Sequence, residues 1–192
     1  MLIREPGNPT YTLPTRHWYR SGQGQNVTCV NGLSPGISHE YQERMPDWYC
    51  EVQEGSWRVK GKRAVAFRCQ GFRRLPSPVD WERQWMWQAP NQLVMSERLE
   101  GQGIVQIDSY LHLGDAAWKE VDTAEWRFEL PGSGKPTALV RMLITAPQGS
   151  TTVRMPAPFA PEYGVEKPGS TVVISGKVNL PITWSVMWEF FV

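Results

Sequence analysis

Charge of one sign is what this sequence most conspicuously lacks. Its 20 Lys and Arg stand against 19 Asp and Glu, a formal net charge of +1. Without a global field, neither nucleic-acid binding nor adsorption to an anionic membrane is expected, so any anion site has to be local. Long apolar runs are missing as well. No stretch reaches the roughly 18 residues of a spanning helix, and Met1-Leu2-Ile3-Arg4 lacks the parts of a secretory signal, so the chain reads as soluble and without an address. Cysteine is scarce. Cys29, Cys50 and Cys69 are too few and too widely spaced for a zinc cage, and an odd number cannot all pair, so they read as buried thiols. The histidines His17, His39 and His112 show no ligand spacing, and neither a Gly-x-Ser-x-Gly elbow nor a phosphate loop is present. A self-contained hydrolase or nucleotide enzyme is therefore not expected. Asn26-Val27-Thr28 matches a glycosylation sequon, a tripeptide too common to carry weight.

What is present is β-strand patterning. With 41% hydrophobic residues, a chain of 192 residues buries roughly 70% of its unfolded surface, enough for one core and one domain over residues 1–192. Its 17 Gly and 16 Pro are spread throughout and interrupt every helical period. From Ile104 to Leu113 the residues Val105, Ile107, Leu111 and Leu113 fall on one face, against Gln106, Asp108, Tyr110 and His112 on the other. Ile182, Trp184, Val186, Trp188 and Phe190 form a similar row. Further strands are expected at Gln25–Val30, Ser56–Val59, Ala64–Gln70, Asp80–Gln88, Gln92–Glu97, Ala124–Leu130, Thr137–Thr145, Thr151–Met155 and Thr171–Lys177. Turn residues separate them, as in Glu100-Gly-Gln-Gly103 and Pro131-Gly-Ser-Gly134. Only His39–Arg44 reads as helical, and Pro156–Pro161 reads as an extended connection. The expected fold class is all-β, an antiparallel β-sandwich or roll.

Two segments can carry chemistry. Trp81, Arg83, Trp85 and Trp87 share a strand face, which is either a sugar-stacking surface or core with Arg83 emerging at an edge. Arg16-His-Trp-Tyr-Arg20 sets two guanidiniums, an imidazole and a phenol beside Gly22 and Gly24. Such a loop can present fork-shaped donors to an acidic polymer, or it can be a solvated loop with Trp18 tucked inward.

The order of motifs resembles the C-terminal β-sandwich domain of heparinase II/III-like polysaccharide lyases, which include heparinase and alginate lyase members. "IREPGNPTY" is similar to that family's acidic-Pro-Gly strand, with Glu5 where Asp is usual. "YRSGQGQNVTCVNG" resembles its Arg-Ser and His-Asn-Thr segment, with Gln25 in place of the His, Asn26 matching the Asn, and Asn31-Gly32 at the Asp-Gly turn. "GFRRL", "WERQWMW" and "NQLVMSERLEGQG" look like its Arg-bearing strand and the strand and turn that follow. "SYLHLG" looks like its His-Leu strand, and "APFAPEYGVEKPGSTVVISGKVNLPITWSVM" like its closing segment.

The resemblance implies a glycosaminoglycan- or alginate-type lyase, a carbohydrate-binding β-sandwich that works with an N-terminal helical toroid, often periplasmic or secreted. The family's toroid residues would lie upstream of Met1. Elimination beside a uronate needs charge neutralisation, a base and an acid, and this chain supplies at most the first, through Arg16 or Arg20, with Tyr19 offering a phenol. The implied substrate-binding residues are Arg16, Tyr19, Arg20, Asn26 and His112, with no catalytic residue assigned. One carboxylate, Glu5, and one amide, Gln25, make a poor zinc set, so neither metal nor cofactor is expected. The leading expectation is an acidic-polysaccharide-binding or accessory domain, inactive alone. The alternatives are a structural module with a lost sugar site, or half of a split lyase completed by a separate toroid chain.

Overall fold

The computed structural model describes residues 6–7, 15–35, 50–52, 58–59, 62–114, 118–122, 124–130 and 138–191. His39–Arg44, Glu5 and the Pro131–Gly134 turn lie outside the described residues. The chain divides into two compact units, one of Met1–Met45, Ile104–Ala116 and Gly149–Val178, the other of Pro46–Gly103, Ala117–Gln148 and Asn179–Val192. Among the described residues the architecture is all-β with two antiparallel sheets, as expected of a β-sandwich.

In the first unit, strands β1 (Thr28–Val30), β7 (Ile104–Gly114), β11 (Ser150–Glu162) and β12 (Val165–Asn179) form a sheet in the order β1-β7-β12-β11. The alternation of β7 does what a period of two dictates: Val105, Ile107, Leu111 and Leu113 are all buried. At Asn31-Gly32 both φ values are positive, 50° and 77°, the backbone that a two-residue primed turn requires and that Asn-Gly tolerates. Val30 and Leu33 close that turn with reciprocal backbone hydrogen bonds of 2.9 and 3.0 Å.

Pro156–Pro161 corrects the sequence reading, because it lies within β11 and is not a connection. Among the described strands β11 is the edge of its sheet, and Pro156 and Pro158 share a parity, so their missing N–H groups point to the same side of the strand. An edge is where proline costs no ladder bond.

In the second unit the sheet runs β2 (Cys50–Val52), β4 (Lys62–Cys69), β5 (Asp80–Ala89), β6 (Gln92–Glu100), β13 (Ile182–Phe191), β10 (Ala138–Thr145), β9 (Glu125–Leu130), β8 (Lys119–Glu120), with β3 (Arg58–Val59) paired to β4. Its apolar face gathers Trp81, Met95, Leu99, Trp126, Met142, Trp184, Val186 and Trp188, all buried. Trp85 stacks on Trp188 with centroids 5.4 Å apart. Arg83 is a second correction, since it is 5% exposed and does not emerge at an edge. Its register on β6 sets it opposite Glu97, which is 0% exposed. Arg83 and Glu97 pair, Trp81 Nε1 donates to the other carboxylate oxygen at 3.0 Å, and the guanidinium sits 5.1 Å from the Trp81 ring centroid. A charge that far from water persists only when it is paired and hydrogen-bonded, and this one is.

Candidate functional site

The sequence suggests a loop at Arg16–Arg20, but the chain forms a single helical turn there, α1 (Arg16–Arg20), followed by a 3-10 turn at Gly22–Gly24. Local propensity does not account for the helix. Thr15 makes no side-chain cap, the first turn carries no acid, and Arg16 and Arg20 stand at i and i+4 with like charge. Contacts with the rest of the first unit hold it.

Tyr19 is 1% exposed, and its hydroxyl donates to Glu166 Oε2 on β12 at 3.0 Å. Burial, that hydrogen bond and the Glu166 charge all hold the phenol above its ordinary pKa, so it stays protonated. Gln25 Nε2 donates to the Tyr19 carbonyl at 2.5 Å, and Ser21 Oγ donates to the Trp18 carbonyl at 2.7 Å. Gly22 and Gly24 are glycines for steric reasons. A Cβ on Gly24 would stand 2.2 Å from the Trp18 carbonyl oxygen, and one on Gly22 would stand 2.2 Å from Cys29 Sγ.

His112 ties the turn to β7. Its ring is 2% exposed, Nε2 lies 2.9 Å from the Gln23 carbonyl oxygen, and Trp18 meets it edge-on at 5.7 Å. A carbonyl only accepts, so Nε2 carries the ring proton. Burial lowers the His112 pKa to about 4, against the partly offsetting Gln23 hydrogen bond, and the imidazole is neutral at ordinary pH. Asn26 Oδ1 accepts from the backbone N–H of His112 at 2.7 Å. Alongside, Asp108 Oδ1 accepts from Ser175 Oγ at 2.6 Å, and burial together with the Asp108 charge pushes the Cys29 thiol up to about 11 and Tyr110 up to about 12.

Of the residues singled out from the sequence, Tyr19, Asn26 and His112 are thus joined in one supporting cluster. Tyr19 lies on the buried side of α1, and Asn26 and His112 lock its neighbouring turn onto β7. His17 and Arg20 are exposed and are the groups that α1 presents outward, whereas Arg16 is half-buried with its guanidinium Nε shielded from solvent. Sequence reasoning missed Gln23, which contributes only a carbonyl, and Glu166, which is 147 residues from Tyr19 along the chain. The only hint of Gln23 was its flanking glycines.

Gln25, standing where the resemblance places a ligating His, spends its amide on the Tyr19 carbonyl. Among the described residues no three His, Cys, Asp or Glu side chains converge.

The class this fold defines is an all-β domain built on two antiparallel sheets. No protein-family model and no curated protein matches the sequence. Solved structures do match over the whole chain: a heparinase III gene product with TM-score 0.75 and 10% identity over 99% of this chain and 28% of that one. A mutant of heparan sulfate lyase HepC from Pedobacter heparinus gives TM-score 0.73 and 10% identity over 98% and 28%. A further heparinase III gives 0.65 and 14% over 98% and 27%. The chain therefore spans less than a third of the length of these structures, and at such identities the likeness is one of fold.

Proposed function

We propose that this chain is the saccharide-binding β-domain of a heparinase-like polysaccharide lyase, that it holds an acidic polysaccharide through Arg16 and Arg20, and that it does not cleave the polymer by itself. The observation that carries the reading is the whole-chain fold match to heparinase III structures. The α1 cluster supports it locally. Exposed Arg20, with half-buried Arg16 one turn before it, suits a carboxylate or sulfate, because a guanidinium offers a planar fork of donors. Tyr19, Asn26 and His112 support that turn from beneath. The phenol, kept protonated and engaged with Glu166, is poorly suited to deliver or take a proton, so the base and acid of β-elimination come from a helical region acting with this domain.

Binding of heparan sulfate and alginate oligosaccharides, followed by calorimetry with Arg16→Ala/Arg20→Ala, tests the reading. At about 1.5–3 kcal/mol for a desolvated charged contact and far less for an exposed one, the double change weakens binding at least about tenfold. Binding of the parent also falls with added salt. Affinity unchanged in the double variant places the site elsewhere, and no binding by the parent favours a structural module. Sustained production of unsaturated uronate by the chain alone, read by ultraviolet absorbance, overturns the accessory role.

A further inference from the structure

Along β5 the shared face runs from buried to open: Trp81 is 2% exposed, Arg83 5%, Trp85 half-buried and Trp87 41%. Among the described tryptophans Trp87 alone is strongly exposed. Its indole lies beside Phe190 with centroids 5.7 Å apart and planes tilted by 35°. Among the described residues, Trp87, Gln88, Ala89 and Pro90 line a shallow cleft of about 430 Å³, and none of these four is charged. Gln88 in the lining is exposed, as is Asn91, which follows Pro90 in the chain.

We infer that Trp87 and Phe190 form a stacking platform for one uncharged pyranose ring of a saccharide chain, with Gln88 and Asn91 bonding its hydroxyls. The axial C–H face of a pyranose matches an indole in size and polarity, and neutral amides at the rim match hydroxyls and not sulfates. The platform is rigid. A bulge between Trp87 and Ala89 re-aims the strand end, the Phe190 N–H donates to the Asn91 carbonyl at 2.9 Å, and Gln92 Nε2 donates to Glu189 at 2.8 Å. The Trp85–Trp188 stack lies on the same strands, β5 and β13. One aromatic pair is far smaller than the roughly 1,000 Å² that a stable protein interface needs, which argues for a small ring over a protein partner. The inference shares the saccharide class of the reading above but neither its residues nor its electrostatics.

Maltohexaose, cellohexaose and a heparin hexasaccharide are titrated into ¹⁵N-labelled protein while the indole N–H signals are followed, that of Trp87 assigned by its loss in Trp87→Phe. The expected result is a Trp87 shift with a neutral hexasaccharide, an affinity unaffected by salt, at least tenfold weakening in Trp87→Ala with partial retention in Trp87→Phe, and no effect of Arg16→Ala/Arg20→Ala. No Trp87 shift with any of the three sugars overturns the inference. So does an unchanged affinity in Trp87→Ala, or a concentration-dependent dimer of the parent that Trp87→Ala abolishes, which makes the face a self-association surface. Salt-sensitive heparin binding lost only in the arginine variant keeps the Arg16/Arg20 reading while overturning this one, and salt-insensitive binding lost only in Trp87→Ala does the reverse.

Discussion

Acid should loosen the grip of β7 on α1, and His112 sets how much. In the unfolded chain the imidazole takes its proton at the ordinary 6.5, whereas in the folded protein burial lowers this to about 4. Between those two values the unfolded state binds more protons than the folded one, so stability falls as pH is lowered through that window and is complete above it. The difference, at about 1.4 kcal/mol per tenfold, amounts to about 3 kcal/mol. His112→Gln keeps an amide N–H near the position of Nε2 and cannot titrate. Urea unfolding of parent and variant, followed by tryptophan fluorescence from about pH 7.5 to about pH 4, isolates the term, because carboxylate titrations common to both proteins cancel in the difference. The parent's advantage should shrink by about 3 kcal/mol across the window. A difference that stays constant with pH, or a His112 ring that titrates near its ordinary value by NMR in the folded protein, refutes the reasoning.

Packing sets two more outcomes. Glu97→Ala strands Arg83 in the core and leaves Trp81 Nε1 without its acceptor, and should cost about 3–5 kcal/mol, while Arg83→Met/Glu97→Leu should recover most of the loss. Equilibrium denaturation measures both, and a loss below about 1 kcal/mol for Glu97→Ala contradicts the buried-pair account. Gly24→Ala drives a methyl against the Trp18 carbonyl and Tyr19 Cα, so it should lower stability by about 1–3 kcal/mol and shift the Trp18 indole signal. A variant as stable as the parent, with that signal unmoved, shows that the α1 junction is not tight.

Whether a residue's role was legible in the sequence depended on whether that role was set locally or from a distance. Strict alternation made β7 and β13 readable, because a period of two sustained over ten residues fits a half-buried strand and no helix, and Val105, Ile107, Trp184 and Trp188 are buried as that period requires. The turn at Arg16–Arg20 was not readable as a helix, since its sequence favours none and its order comes from Tyr19, His112 and Glu166. Pro156 and Pro158 argued against a strand only while it was unknown that β11 is an edge. Arg83 looked like a surface residue because its partner Glu97 is on the next strand, a register that no local pattern announces. The sequence singled out Tyr19, Asn26 and His112, but it did not announce that these three are supports of the turn, Tyr19 and His112 buried, while Arg20 is exposed.

That division alters what a substitution reports. Arg16 and Arg20, one helical turn apart, repel by about 0.2–0.5 kcal/mol, a cost the turn bears without a cap or an acid in its first residues. The turn persists because Gln25 and Ser21 donate to its carbonyls, Tyr19 is anchored to Glu166, and His112 meets Gln23 and Trp18. On the proposed reading, an anion held between the guanidiniums would remove the repulsion, so that binding and order of the turn would reinforce each other. Loss of an arginine then weakens an acidic ligand in a salt-dependent way, since it removes charge. Loss of His112 weakens the same ligand with the salt dependence intact, since it removes only the support that aims the charge. If both substitutions flatten the salt dependence alike, His112 contacts the ligand and the division between outward forks and buried supports is wrong.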